Sequence, residues 1–318
     1  MTIATEITRI KTNIENAYTK AEEKGATIPE VKNSENLAAC LETITTGGGG
    51  GSDYNAFPPY EVVDGVASRA SGDVTGVFNN IVEASTRVFD YTFSRCSNLT
   101  GQLSFPNLVT AEDYAFNHTF EKCSNLTGEV SFPNLVDVSS YAFSDAFTEC
   151  GGLTSVNLMS LKTVSTYCFN NAFNRCSNIT SLNLDSMETV KKSGFYQAFS
   201  YCTSLTSISF PSLVSVENGG FSNAFQYCTG LKTASFPKLN TVVASSLNRM
   251  FLGCSALESL SFPALTNITG DPFTAYMCSN CTNLTEIHFR VDMEGTITAL
   301  SSYSSKFGAT NATIYFDL

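Results

Sequence analysis

The chain has 318 residues, and 43% of them are hydrophobic, so one or two domains with a packed core are expected and general disorder is excluded. Only 15% of the residues are charged, and the formal net charge is −11. A nucleic-acid backbone and an anionic lipid surface both attract basic patches. This composition therefore disfavours both classes of partner.

The first residues carry no targeting signal, because a basic stretch followed by an apolar run is missing from them. No segment of the sequence approaches the roughly 18 apolar residues that a membrane-spanning helix needs. We therefore expect a protein that is synthesised in the cytoplasm, has no signal peptide and does not insert into a membrane.

Residues 1–46 are predicted to form a small α-helical segment that serves as an anchor or for oligomerisation. Its heptad seam consists of Ile3, Ile7, Ile10 and Ile14. Isoleucine at both seam positions favours three or four strands, and a homotrimer is one interpretation. A helix that packs on its own neighbour is the other, since a seam of two heptads is marginal alone.

Residues 47–59 are predicted to be a flexible linker. They follow the helical segment with five consecutive glycines, Gly47 to Gly51. Glycine-rich chains behave as flexible coils, and six such residues reach roughly 13 Å. The linker separates the segment 1–46 from a domain that spans residues 60–318.

From residue 60 onwards the sequence is periodic. Eight cysteines recur at intervals of 26 or 27 residues, namely Cys96, Cys123, Cys150, Cys176, Cys202, Cys228, Cys254 and Cys281. Apolar residues follow Cys176, Cys202 and Cys228 at +3, +6, +8, +11 and +14. A unit of this length cannot bury its own apolar face, since isolated folds need about 40 residues, so the units are expected to stack.

Each unit contains two further patterns. Small polar and apolar residues alternate from +4 to +8, which predicts a strand, and a proline at +9 often ends it. Before the cysteine, Phe116, Phe120 and Cys123 stand at i, i+4 and i+7, which indicates one face of a short helix. Each coil is expected to run strand, turn, short helix and turn.

These residues resemble the BspA-like leucine-rich repeats of bacterial surface proteins. The motif is Ala-Phe-x-x-Cys-x-x-Leu-x-x-Ile-x-Phe-Pro, as from Ala198 to Pro211, and the match covers about three quarters of the chain. The resemblance implies an α/β solenoid, a right-handed stack of about eight coils with a parallel sheet, used in adhesion without catalytic residues. Atypical caps are expected at both ends, with Ile314 and Phe316 in a last strand. Insertions at Gly101-Gln102 and Gly128-Glu129 are expected to bulge their strands.

The front segment resembles the N-terminal regions of phage and prophage tail or fibre proteins. Loose motifs carry this resemblance, at residues 3–10, 25–29 and 37–44, and they cover about a seventh of the chain. The resemblance implies that residues 1–46 contact virion proteins, so that the protein is localised in a virion and its solenoid faces outward.

The cysteines and histidines are not predicted to form a reactive site. One cysteine per coil at a core position favours free buried thiols over disulfides. Cys278 and Cys281 form a Cys-x-x-Cys, but no second pair completes a zinc set. His118 and His288 lie six units apart, on predicted polar faces, and neither neighbours a nucleophile turn. The sequence therefore predicts no catalytic residue, metal or cofactor.

Two surfaces are candidates for binding a partner. The outer face of the predicted strands, at +5 and +7, carries Ser155, Asn157, Ser181, Asn183, Ser207, Ser209, Thr233, Ser235, Ser259 and Ser261. This ladder is either simply solvated or contacts a glycan or protein through many weak hydrogen bonds. The second surface is an edge nine residues before the cysteines, with Tyr114, Tyr141 and Tyr167. Tyrosines suit sugar stacking and protein contact, and they also shield turns.

Three functions remain open at this point. The leading hypothesis is a non-enzymatic phage or prophage structural protein, a fibre, tail or decoration subunit that presents the solenoid for adhesion to a surface glycan or protein. The alternative is a bacterial BspA-like interaction protein that is not part of a virion. A glycan hydrolase is less favoured, because the acidic residues are scattered rather than paired on the predicted strands.

Overall fold

The computed structural model describes residues 62–63, 66–67, 72–274 and 276–318. The predicted helical segment 1–46, its isoleucine seam and the linker 47–59 lie outside these residues. The homotrimer and the contacts of residues 1–46 with virion proteins therefore stay predictions.

Short strands form two parallel rows along a solenoid of about nine turns. An antiparallel pair, β1 (Val62–Val63) and β2 (Val66–Ala67), precedes them. The first row comprises β3 (Gly72–Asp73), β5 (Leu99–Thr100), β7 (Gly128–Ser131), β9 (Leu153–Asn157), β11 (Ser181–Asn183), β13 (Ser207–Ser209), β15 (Thr233–Ser235), β17 (Ser259–Phe262), β19 (Glu286–Phe289) and β20 (Thr313–Phe316). The second comprises β4 (Glu83–Ala84), β6 (Thr110–Ala111), β8 (Asp137–Val138), β10 (Thr163–Val164), β12 (Thr189–Val190), β14 (Ser215–Val216), β16 (Thr241–Val243) and β18 (Asn267–Thr269).

The predicted solenoid with a parallel sheet is confirmed, and corresponding residues of successive coils pair. Ser207 pairs with Thr233, and Thr233 with Ser259. The ladder of hydrogen bonds is interrupted between β5 and β7 and between β11 and β13 in the first row, and between β8 and β10 in the second. The predicted bulge at Gly128-Glu129 is confirmed by a shift in register at that point.

The core consists of columns to which each coil contributes one residue. The predicted apolar positions are confirmed, as Leu205, Phe210 and Leu213 are fully buried. Phenylalanine rings of neighbouring coils stack on one another, with centroids 4.8 Å apart for Phe116 and Phe143. Because successive coils present apolar side chains at corresponding positions, the apolar face that one unit cannot bury is covered by the next.

The short helix predicted before each cysteine is wrong. In the described coils the ten residues before the cysteine, which we name the turn segment, form successive turns. The N–H of Phe116 donates to the Ala142 carbonyl of the next coil at 2.7 Å, and the N–H of Asn117 donates to the Tyr114 carbonyl at 3.1 Å. This alternation continues along the segment, whereas an α-helix would bond every N–H four residues back within itself.

Backbone angles explain why the helix does not form. Every fourth residue of a turn segment has a positive φ, as at Tyr114 (58°), His118 (52°) and Lys122 (62°). This left-handed conformation costs an L-residue about 1–2 kcal/mol. Each of these three N–H groups donates to a carbonyl of the next coil, so the neighbouring coil stabilises the conformation. Phenylalanines at i and i+4 thus reflect a four-residue turn period.

The second row and the C-terminal cap complete the fold. The sequence did not predict the second row, because a two-residue strand is too short to show alternation. After β19 the chain forms a 3-10 helix (Val291–Met293), the five-residue helix α1 (Glu294–Thr298) and a second 3-10 helix (Tyr303–Gly308). The predicted last strand is confirmed, since Ile314 and Phe316 lie in β20, which pairs with β19.

Candidate functional site

The ten predicted ladder residues lie together on the outer face of the first row, which we name the hydroxyl face. All ten are exposed or half-buried, whereas Ile208 and Leu260 between them point into the core. Parallel strands lie about 4.8 Å apart, and residues two apart along a strand about 7 Å. The five rungs from β9 to β17 therefore present two columns about 19 Å long.

The hydroxyls of this face are not used within the chain. Eight of the ten residues are serine or threonine, and none of these hydroxyls hydrogen-bonds to any described group. The two asparagines differ. Asn157 Oδ1 accepts from the Met159 N–H at 3.2 Å, its Nδ2 donates to Ser131 Oγ at 3.3 Å, and Asn183 Oδ1 accepts from the Asp185 N–H at 3.4 Å. The eight hydroxyls are therefore available to solvent or to a ligand.

Acidic residues border the hydroxyl face at both ends. Glu129 pairs with Ser155 at one end, and Glu286 pairs with Ser259 at the other. His288 lies beside Glu286, and its Nδ1 is 2.9 Å from Asp317 Oδ1. This hydrogen bond, with a smaller contribution from Glu286, raises the pKa of His288. The ten side chains of the central five rungs are thus uncharged between two charged ends, and the exposed Lys232 and Glu258 border them where β15 and β17 begin.

The outer side chains of the second row behave differently. Thr189 Oγ1 and Ser215 Oγ of adjacent coils lie 3.2 Å apart in a hydrogen bond. Glu112 Oε2 accepts from both the N–H and the hydroxyl of Thr86, at 2.8 and 2.9 Å. These groups are charged or already paired, so fewer of them are left for a partner.

The three predicted edge tyrosines form one stack. The ring centroids of Tyr114 and Tyr141 are 4.8 Å apart, and those of Tyr141 and Tyr167 are 4.9 Å apart, with planes within 8°. The Arg87 guanidinium lies 4.4 Å over Tyr114. Both faces of Tyr141 are therefore covered by its neighbours and cannot stack on a sugar. Contact with a partner through the ring edges stays a prediction.

Comparison with known proteins assigns the family. A family model described as BspA type leucine rich repeat region (6 copies) matches residues 86–222 and 170–306, which together exceed half of the chain. The chain belongs to the BspA type leucine-rich repeat family. No curated protein matches it.

Solved leucine-rich repeat structures resemble this BspA type chain at low identity. The T. pallidum leucine rich repeat protein TpLRR is 18% identical over 61% of this chain and 74% of its own, with a TM-score of 0.34. A leucine rich cell surface protein from Faecalibacterium prausnitzii A2-165 is 15% identical over 74% and 84%, with a TM-score of 0.25. A leucine-rich repeat protein from Bacteroides ovatus ATCC 8483 is 13% identical over 82% and 91%, with a TM-score of 0.21.

The cysteines of this BspA type solenoid are core residues. The ten described cysteines are free and buried, as predicted for the repeat cysteines. Seven of these thiols, from Cys123 to Cys281 at the repeat position, donate to phenylalanine carbonyls of the preceding coil, at 3.0 Å from Cys150 Sγ to Phe120 O. Burial raises the pKa of Cys176 and of Cys228 to about 12. Because the thiolate is the nucleophile, burial makes these cysteines unreactive.

His118 lies half-buried in a turn segment. Its ring stacks on Tyr91 at 4.3 Å, its Nδ1 is 3.0 Å from Glu121 Oε2, and its Nε2 is 3.7 Å from Asp145 Oδ2. Burial raises the pKa of Asp145, against the opposing effect of His118. The nearby Ser144 hydroxyl donates to Asp145 at 3.0 Å, so it is not directed at the imidazole as an activated nucleophile would be.

No three His, Cys, Asp or Glu side chains among the described residues stand together in an arrangement that would hold a metal ion. No helix in that part of the chain has the length and hydropathy to span a membrane.

Proposed function

We propose that the protein is a non-enzymatic adhesion module whose solenoid binds a surface glycan or protein through the hydroxyl face. The observation that carries this proposal is the set of eight unpaired hydroxyls on five successive rungs, in register from β9 to β11 and from β13 to β17. An ordered sheet places these groups before binding, so a partner loses less entropy in ordering them. Membership of a repeat family typical of interaction modules supports the same conclusion.

Retention of the purified protein on intact bacterial cells tests this proposal. We expect saturable binding that is lost when Ser209→Arg and Ser235→Arg place two bulky charged side chains on the hydroxyl face. The matched control is Thr163→Arg with Ser215→Arg on the second row, which we expect to leave retention unchanged. Equal retention of both double variants would contradict the assignment to this face.

The carrier of the module is a separate part of the proposal. We assign it to a phage or prophage virion, as a fibre, tail or decoration subunit, because residues 1–46 resemble such proteins and a glycine linker follows them. Mass spectrometry of purified virions is expected to detect peptides from residues 1–46 and from the solenoid. Their absence from virions would favour the bacterial interaction protein that lies outside a particle.

Two measurements address assembly and catalysis. If the isoleucine seam forms a trimer, sedimentation of the full chain gives three copies and deletion of residues 1–46 gives monomers. A monomeric full chain would refute the seam.

Incubation with cell-wall glycans is expected to release no product, and steady release of sugar would establish the hydrolase instead.

A further inference from the structure

The hydroxyl face specifies a ligand class more narrowly than adhesion does. Resting on the proposed function, we propose that this face binds a neutral, extended polysaccharide chain that lies along the solenoid axis across the five rungs. Protein partners and charged glycans are the competing ligands, and the chemistry of the face disfavours both.

The ten residues of the hydroxyl face carry no charge. No ionisable side chain occurs among the ten residues, while Glu129 and Glu286 border them. A polyanionic glycan would find no cation among the ten residues and only Lys232 at their border, and it would meet a carboxylate at each end. A cationic ligand would find its acidic contacts only at the border, in Glu258 and in Glu129 and Glu286, and the last two are six rungs or about 29 Å apart. A neutral chain complements the centre and incurs no electrostatic penalty.

A serine or threonine hydroxyl both donates and accepts, and so does each hydroxyl of a sugar. The eight unpaired hydroxyls can therefore pair with a polyhydroxylated ligand in either direction. Asn157 and Asn183 are partly committed to the turns that follow their strands. The rungs of β13, β15 and β17 carry only hydroxyls and should contribute most.

The ten residues include no aromatic side chain and no large apolar one. Protein interfaces concentrate their energy in central aromatic or arginine residues, and this face has none to offer. A single sugar unit would also find no aromatic ring among these ten residues on which to stack. Binding must therefore come from many weak, repeated contacts, which only a long and regular ligand can make.

The repeat then sets a dependence on ligand length. Because corresponding hydroxyls of β13, β15 and β17 are in register, each further rung offers the same pair of groups. Affinity is expected to rise with chain length until the ligand spans the roughly 19 Å of the neutral face. Ligands shorter than one rung spacing gain almost nothing.

The experiment measures binding of the full chain to immobilised neutral polysaccharides, namely β-glucan, mannan, galactan and dextran, beside pectate and heparin as polyanions. We expect retention on at least one neutral polymer and on neither polyanion. Calorimetry with oligosaccharides of that polymer, from two to eight units, should then show affinity rising at least tenfold. Binding to no neutral polymer, or affinity independent of length, would overturn the proposal.

Matched variants locate the site. Ser207→Ala, Thr233→Val and Ser259→Ala together remove one column of hydroxyls, and we expect at least a tenfold loss of affinity for the longest oligosaccharide. The control removes three hydroxyls of the second row by Thr189→Val, Ser215→Ala and Thr241→Val, and affinity should change less than twofold. If the first triple variant unfolds, Ser235→Glu, which adds a charge at the centre, is expected to abolish binding.

The outcomes separate this inference from the proposed function. Equal affinities of the two triple variants would overturn the location. Adhesion to cells that depends on the hydroxyl face, together with no binding to any neutral polysaccharide, would identify a protein ligand. That result would overturn the neutral-polysaccharide inference and leave the proposed adhesion function intact. If the unaltered protein binds neither cells nor any polysaccharide, both the inference and the proposed function are overturned.

Discussion

The two rows of strands come from the same repeating unit, and their outer hydroxyls still differ in what they bind. In the second row Thr189 bonds to Ser215 of the next coil, at 3.2 Å. In the first row Ser207 and Thr233, although paired in register, make no such bond between their side chains. Outer hydroxyls that hydrogen-bond to one another stabilise the stack of coils, while outer hydroxyls without such bonds remain available to a ligand. Hydroxyl content alone therefore does not identify a binding face.

The largest expected effect compares the inward residues of the two rows. Phe210→Ala removes a buried first-row ring that stacks on Phe236 at 5.6 Å, and it should lower the free energy of unfolding by about 3–5 kcal/mol. Val216→Ala in the second row removes only two methyl groups, at about 0.8 kcal/mol each plus a small cavity. Urea titration of both variants measures the difference. A loss at Val216 as large as that at Phe210 would show that the second row carries more of the core than its contacts indicate.

The turn segments form a third set of hydrogen bonds between coils, beside those of the two rows of strands. Gly253 has a φ of +77°, and a Cβ there would overlap the Tyr227 ring. We expect Gly253→Ala to lower the free energy of unfolding by about 1–3 kcal/mol. The control is Gly295→Ala, in α1 with open space around it, which should be neutral or stabilise by up to about 1 kcal/mol. A Gly253→Ala variant as stable as the control would mean that the Tyr227 ring can move aside without a loss of stability.

The outer residues test the contrast directly. Thr189→Val removes the hydroxyl bond to Ser215 and should lower the free energy of unfolding by about 0.5–1.5 kcal/mol. Thr233→Val removes a hydroxyl that bonds to no described group and should change it by less than about 0.5 kcal/mol. Thermal unfolding monitored by circular dichroism measures both. A larger loss at Thr233 would remove the distinction between the rows.

The smallest effect concerns the acidic border of the hydroxyl face. Asp317 raises the pKa of His288, so the folded state binds the proton more tightly than the unfolded state does. The resulting stability is fully present below the ordinary histidine pKa of about 6.5 and is lost as the pH rises through the folded value. We expect NMR titration to place the pKa of His288 above 6.5 and Asp317→Asn to lower it. An unchanged pKa in that variant would assign the shift to other groups.

The sequence predicted the features that one unit can show by itself. The alternation around Ile208 was enough to place Ser207 and Ser209 on the outer face, and the cysteine period located the buried columns. The turn segment could not be recognised, because Phe116 and Phe120 fit a helix equally well and only the carbonyls of the next coil decide between the two. Period-four spacing of apolar residues before the first seven repeat cysteines was the available signal.

Relations between coils account for the rest of what the sequence missed. Tyr141 was recognised as a recurring edge residue, but the covering of both its ring faces depends on residues 26 and 27 positions away. The unpaired state of the Ser207 and Thr233 hydroxyls likewise depends on side-chain geometry across a coil spacing, which no single unit contains. The two-residue strands of the second row are defined only by their pairing with strands of neighbouring coils.

The hydrogen bonds of the turn segments give the solenoid an electrical polarity. From Arg87 to Gly253, every turn-segment N–H that donates to a main-chain carbonyl of another coil points to the next coil, and the last coil finds an acceptor in the C-terminal cap, where Cys278 N–H donates to Phe307 O. Peptide dipoles aligned in this way add, as they do in a helix. The C-terminal end of the turn-segment column therefore carries partial positive charge, whereas the N–H groups at the second row, such as that of Lys191 to Val164 O, point to the preceding coil and form a column of the opposite sense.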